Sequence, residues 1–163
     1  MFRINRGFII IICLMVGLMC HPALAGQKPI QLALFSPVQI VSEHNAVAGV
    51  RLSLIYGKNT RVTGLDYGFV SLATEGVSAG VQFGVVGIVK ADFTGWQNSA
   101  VNIVDRNFEG FQWGLVNYAD RASGFQFGLV NYARTMRGLQ IGLVNIIKQG
   151  GQFPFFPIIN WSF

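Results

Sequence analysis

A segment of about ten residues that returns along most of the chain sets the terms for any fold. Its clearest copy is Gly110-Phe111-Gln112-Trp113-Gly114-Leu115-Val116-Asn117-Tyr118-Ala119, and the pattern recurs from Gly124 and again from Gly138. Gly80-Val81-Gln82-Phe83-Gly84-Val85-Val86 keeps the front half, and Gly95-Trp96-Gln97 leads to Asn102 with Ser99 in place of the second glycine. Further back, Gly64-Leu65-Asp66-Tyr67-Gly68 carries Asp where later copies carry Gln, and Gly49-Val50-Arg51-Leu52 is the faintest copy. The starts at 49, 64, 80, 95, 110, 124 and 138 lie 14 to 16 residues apart. A near-fixed period of this kind marks an array in which each unit leans on its neighbours.

Each unit reads as β-structure. Phe125, Phe127 and Leu129 alternate with Gln126, Gly128 and Val130, which is the period of two expected of a strand. The alternation predicts that these three large apolar residues are buried. Short polar linkers such as Asp120-Arg121-Ala122-Ser123 suit turns between units. A single unit of this size cannot offset the entropy of ordering its own backbone, so stability has to come from stacking, and the ends need covering. Residues 27–48, with alternating Ile30, Leu32, Leu34, Val38 and Ile40, are expected to form a first strand or cap; Pro29 and Pro37 are tolerable there at an edge. Residues 48–150 hold the repeats and residues 151–163 close the other end.

Two architectures use such units. One is a β-solenoid of about seven 14–16-residue coils stacked in parallel; the other is a small transmembrane barrel in which each unit is one antiparallel strand. A ten-residue strand tilted in a bilayer has a suitable length, and Trp161 and Phe163 resemble the aromatic ending of bacterial outer-membrane barrels. Against the barrel, Asn117, Asn131 and Asn145 share a strand face with bulky apolar residues, and an amide facing lipid is strongly unfavourable. In a solenoid the same Asn sits at an inward corner and bonds the coils above and below. The linkers are also uniformly short, and Pro154 and Pro157 suit a cap better than a closing strand. The all-β solenoid is the favoured reading and the barrel its alternative.

The N-terminus reads as a secretory signal peptide over residues 1–25. Arg3 and Arg6 precede the apolar run Gly7 to Met19, and Ala23-Leu24-Ala25 forms a cleavage site ahead of Gly26. Cleavage there removes Cys13 and Cys20, the only cysteines, so residues 26–163 form a single domain without disulfide or thiol chemistry. It also removes two of the twelve basic residues, which leaves ten against seven acids and a net charge of +3. The remaining basic residues are scattered singly, which excludes a nucleic-acid patch, and only 12% of the chain is charged, which excludes a disordered polyelectrolyte.

Chemistry-bearing patterns are scarce. His44 stands beside Glu43 and Asn45 in an expected loop and fits no metal-ligand spacing. The carboxylates fall mostly in or near linkers, and Ser53, Ser71, Ser78 and Ser99 lack a nucleophile-elbow context. The repeated glycines open no helix and match no phosphate loop; tight corners and close stacking explain them. No catalytic, cofactor or metal residue is therefore assigned. The candidate positions are the recurring amides Gln82, Gln97, Gln112, Gln126 and Gln140, together with Asn102, Asn117, Asn131 and Asn145. The Gln set reads as an outward ladder of mutually bonded amides, or else as a polar stripe that binds an extended glycan. Trp96, Trp113, Tyr118 and Tyr132 read as packing residues, with a sugar platform or a membrane-interface belt as the functional alternative.

The motif Gly-h-Gln-h-Gly-Leu-Val-Asn, with h apolar, resembles that of exported bacterial surface-repeat proteins of unknown function. Phe35-Ser36-Pro37-Val38-Gln39, Leu54-Ile55-Tyr56-Gly57 and Pro157-Ile158-Ile159-Asn160-Trp161 are similar to that family as well. Departures are Asp66 in place of Gln, and Ser71 and Gly87 in place of Asn. The resemblance implies an envelope location in a Gram-negative-type bacterium and brings no activity with it. The expectation is a non-enzymatic exported repeat protein of periplasm, outer membrane or cell surface. It would need no cofactor, and its partner would be a glycan, a protein or the outer membrane itself.

Overall fold

The structure, a computed structural model, describes residues 27–163; the expected signal peptide and both cysteines lie outside them. The described chain is all-β. Its elements are β1 (Lys28–Phe35), β2 (Val38–Gln39), β3 (Val47–Asn59), β4 (Val62–Ala73), β5 (Val77–Val89), β6 (Asp92–Trp113), β7 (Val116–Phe127), β8 (Val130–Gln149) and β9 (Phe155–Ser162). From β1 through β3 to β8 every neighbouring pair is parallel, and the strands stack as a solenoid of about eight turns. The chain is not a barrel, because a barrel of this connectivity needs antiparallel neighbours.

The register stacks each residue on its repeat equivalent. Gly110, Gly124 and Gly138 align, as do Gln112 with Gln126 and Gln140, and Asn117 with Asn131 and Asn145. β6 is long because the chain runs through a corner without leaving strand geometry: residues 92–104 pair with β5 and residues 101–113 with β7. The first glycine of each unit has a positive φ, 132° at Gly110 and 128° at Gly124. A side chain there would press into the backbone carbonyl of the glycine one coil below, so the position is closed to other residues. At the two ends the direction reverses. β2 pairs antiparallel with β1, and β9 pairs antiparallel with β8, so short reversed strands cover the open edges of the stack.

The interior corrects the sequence reading. Phe125, Phe127 and Leu129, expected inside, are 53%, 43% and 50% exposed. The buried apolar residues are a modest cluster of Ala73, Val89, Phe93, Val104, Phe108, Ala119, Ala122, Ala133, Met136 and Ile147. A smaller apolar cluster of Val41, Val47 and Val62 lies toward the N-terminal end. The rest of the interior is largely amide, with a few serines and the Arg51–Asp66 pair. The Gln and Asn columns are both buried, and the two-residue corner Gly128-Leu129 is what makes this possible. Gln126 and Asn131 are five apart, so an uninterrupted strand would place them on opposite faces; the corner shifts the alternation by one and turns both inward.

Candidate functional site

The candidate amides form two ladders. In the first, each Gln Nε2 donates to the Oε1 of the preceding coil: Gln97 to Gln82 and Gln112 to Gln97 at 2.8 Å, Gln126 to Gln112 and Gln140 to Gln126 at 2.7 Å. Gln82 Nε2 donates in turn to the Asp66 carboxylate at 2.7 Å, and Arg51 pairs with that carboxylate from the other side. In the second ladder the direction is reversed. Asn102 Nδ2 donates to Asn117 Oδ1 at 2.9 Å, Asn117 to Asn131 and Asn131 to Asn145 at 2.8 Å. Each of these donors also reaches a corner carbonyl of the next coil, for example Asn117 Nδ2 to Phe127 O at 2.9 Å. The amide dipoles of the two columns therefore oppose one another along the axis, and burial of so many polar groups is tolerated because nearly all are bonded.

The Gln ladder points inward and not outward, since Gln97, Gln112 and Gln140 have no exposed surface. It cannot touch a glycan. The amides support the scaffold; what they leave for recognition is the outside, a consequence that sequence reasoning missed. The signal was present in the spacing of five between Gln and Asn, which allows both to turn inward only if the large apolar residues turn outward.

Outside most coils, the residues before and after the corner are large and apolar; the coil that starts at Gly95 interrupts the pattern with Asn98, Ser99 and Ala100. Leu52, Tyr67, Phe83, Trp113, Phe127 and Ile141 stand on one side of the corner; Leu54, Phe69, Val85, Leu115, Leu129 and Leu143 stand on the other. Between these rows the corner residues Gly68, Gly84, Gly114, Gly128 and Gly142 leave an open groove parallel to the solenoid axis. It has a volume of about 1250 Å³ from Leu32 to Asn98 and continues as a section of about 630 Å³ from Asn98 to Ile158. The lining contains no carboxylate, amine, imidazole or guanidinium. Aromatic rings run along its flank: Phe83 against Trp96 at 5.3 Å, Trp96 against Phe111 at 6.3 Å, Phe111 against Trp113 at 6.2 Å, and Trp113 against Phe127 at 5.5 Å. Tyr118 stacks on Tyr132 at 5.1 Å on the side beyond the corner.

Charge collects on the opposite edge, where one coil passes to the next. Arg134 grips Asp120 there at 2.6 and 2.8 Å, Lys90 meets Asp105 at 2.9 Å, and Arg121 Nε donates to Asn107 Oδ1 at 2.6 Å. The hydrogen bonds from Arg134, with its charge, hold the Asp120 carboxyl below the usual carboxylate range and raise the guanidinium further. The backbone N–H of Asn107 does the same for Asp92. Near the N-terminal end, the Ser36 hydroxyl donating at 2.7 Å, seconded by Lys58, lowers Glu43. The side chain of His44 beside it is 84% exposed. No cluster of three or more metal-ligating side chains occurs among the described residues.

No protein-family model matches the chain, and neither the curated proteins nor the solved structures contain a match.

Proposed function

We propose that this chain is an exported, non-enzymatic repeat protein of the bacterial cell envelope whose role is to hold an extended apolar face rigidly against an envelope partner. The observation that carries this reading is the inversion of the usual polarity. The polar amides are inside, bonded into ladders, while the large apolar residues line an outer groove that offers no carboxylate, amine, imidazole or guanidinium for catalysis. Soluble monomers rarely expose a contiguous apolar patch of more than a few hundred Å², and larger ones mark interaction sites. The leader-like pattern of Arg3, Arg6, the run to Met19 and Ala23-Leu24-Ala25 supports export. A barrel pore is set aside with the barrel fold.

Cell fractionation with N-terminal sequencing tests the reading. The expected result is a mature chain beginning at Gly26 in the envelope fraction, released only with detergent or with its partner attached. A chain recovered from the cytoplasm with Met1 intact, monomeric in plain buffer, would overturn it.

A further inference from the structure

We infer that the occupant of the apolar groove and its flanking sides is the acyl layer of a lipid bilayer surface, on which the solenoid lies flat with its charged edge in water. The inference rests on the interaction reading above and names its partner.

Three observations carry it. The first is the segregation of charge. Between residues 49 and 148 the charged side chains that reach solvent sit on the edge where coils join, at Arg61, Glu75, Lys90, Asp105, Asp120 and Arg134, and on the side that follows it as far as Glu109 and Arg137 before the unit-start glycines; Lys58 is the exception, and Arg51 and Asp66 are buried. This is the pattern of an interfacial amphipathic helix written on a solenoid.

The second is shape. The groove runs along a convex corner whose leucines are among the most exposed residues, Leu54 at 70% and Leu143 at 65%, and the apolar rows continue down both adjoining sides through Phe125 and Tyr118. A second copy or another folded protein covers one side at a time, with about 800 Å² taken from each partner in a standard interface. A fluid acyl layer covers both sides and the corner together.

The third is orientation and charge complementarity. About eight coils at about 4.8 Å make a rod near 35 Å long, and the charged edge runs its full length. An upright rod would drag Lys90, Asp105, Asp120 and Arg134 through hydrocarbon, whereas a flat one keeps them wet. With the buried Arg51–Asp66 pair set aside, nine basic residues face six acidic ones among the described residues, an excess that suits anionic headgroups beside the immersed sides. The coil backbones bond to one another and the stack ends are covered by β2 and β9, so few backbone groups are left to water in the immersed part.

The test is flotation of the mature protein, beginning at Gly26, with vesicles of phosphatidylcholine, alone and mixed with phosphatidylglycerol, followed by tryptophan fluorescence with brominated phosphatidylcholine. Trp96 and Trp113 lie on the immersed flank. The expected result is flotation that increases with phosphatidylglycerol, and quenching by the brominated chains. Leu115→Glu with Leu129→Glu should cut partitioning by about tenfold or more with the circular dichroism unchanged; Leu54→Glu with Leu143→Glu serves as an independent pair should the first fail to fold. Equal flotation of wild type and both pairs would overturn the inference. So would a dimer that shields Trp113 without lipid and does not float, although the interaction reading would then stand. A lipid-indifferent monomer with water-accessible Trp113 would overturn both.

Discussion

Arg51 and Asp66 meet inside the solenoid as a two-point ion pair, Nε to Oδ1 at 2.7 Å and Nη2 to Oδ2 at 2.6 Å, at the column position that Gln fills in the later coils. Ser71 adds a third bond to Asp66 at 3.1 Å and Gln82 a fourth. The pair is an ionic segment of the amide ladder, and its two members are exchangeable only together. Asp66→Gln alone leaves a buried guanidinium without its counter-charge and should cost about 3–5 kcal/mol. Arg51→Gln with Asp66→Gln restores the pattern of the later coils and should lie within about 1 kcal/mol of wild type or above it. Urea midpoints of the two single variants and the double variant give the coupling; additive losses would sink the idea.

The array was legible in the sequence because its evidence is the recurrence itself: glycine at each start, Gln two residues on, Asn five residues later. Parallel stacking followed from the Asn, which needs a like neighbour more than it needs lipid. What the sequence did not disclose was the facing of the strands. Alternation has a period but no absolute direction, and the usual assumption that Phe125 and Phe127 go inside and Gln126 outside is reversed here. A narrow interior shared by two amide columns leaves room for Ala119, Val104 and a few Phe, and the self-satisfying ladders remove the usual penalty on buried amides. The extension of the Gln column to Gln31 at one cap and Asn160 at the other also escaped the sequence reading, since neither lies in a repeat. Gln31 exchanges hydrogen bonds with the Val41 backbone at 3.1 and 2.8 Å, and Asn160 donates to Phe153 O at 2.9 Å.

That reversal predicts an inverted mutational profile at adjacent residues. Gln112→Leu, an apolar substitution, removes the donor to Gln97 Oε1 and the acceptor of Gln126 Nε2. Each buried group left without its partner should cost about 1–3 kcal/mol. Trp113→Ser, a polar substitution one residue along on the exposed side, should cost about 1 kcal/mol, the loss being its edge contacts with Phe111 and Phe127. Thermal melts in detergent decide it. A Trp113→Ser variant that loses more stability than Gln112→Leu would contradict the facing described here.

The unit-start glycines make a sharper contrast. Gly124 has φ 128° and any Cβ there would run into the carbonyl oxygen of Gly110, so Gly124→Ala forces two coils apart and should cost about 4 kcal/mol or more. Gly150 also has positive φ, 73°, but nothing lies within 4 Å of its added Cβ. Gly150→Ala should cost only the left-handed backbone term, about 1 kcal/mol. Gly124 at φ 128° lies further from the left-handed minimum than Gly150 at φ 73°, so the difference between the melting temperatures of the two variants reports the coil-to-coil approach together with that larger backbone penalty. Equal losses would show that stacking distance is not what restricts the position.

The charged edge gives the protein an acid limit whose sign is fixed. Asp120, Asp92 and Glu43 all have folded carboxyl pKa values below their ordinary range, because Arg134, the Asn107 N–H and Ser36 respectively stabilise the ionised form. A group lowered in this way binds protons more readily in the unfolded chain. Its contribution is therefore complete above the unfolded value near about 4 and is withdrawn as the pH falls through the lower folded value. Thermal midpoints should hold steady from neutral pH down to about 4.5 and fall below about 4. Asp120→Asn and Asp92→Asn should each start lower at neutral pH and show a shallower acid decline, because part of what acid removes is already gone. Arg134→Gln should flatten the Asp120 share alone, while leaving the Asp92 share intact, since Asn107 and not Arg134 holds that carboxylate. A midpoint that rises on acidification, or an acid decline as steep in all three variants as in wild type, would place the sensitive groups elsewhere.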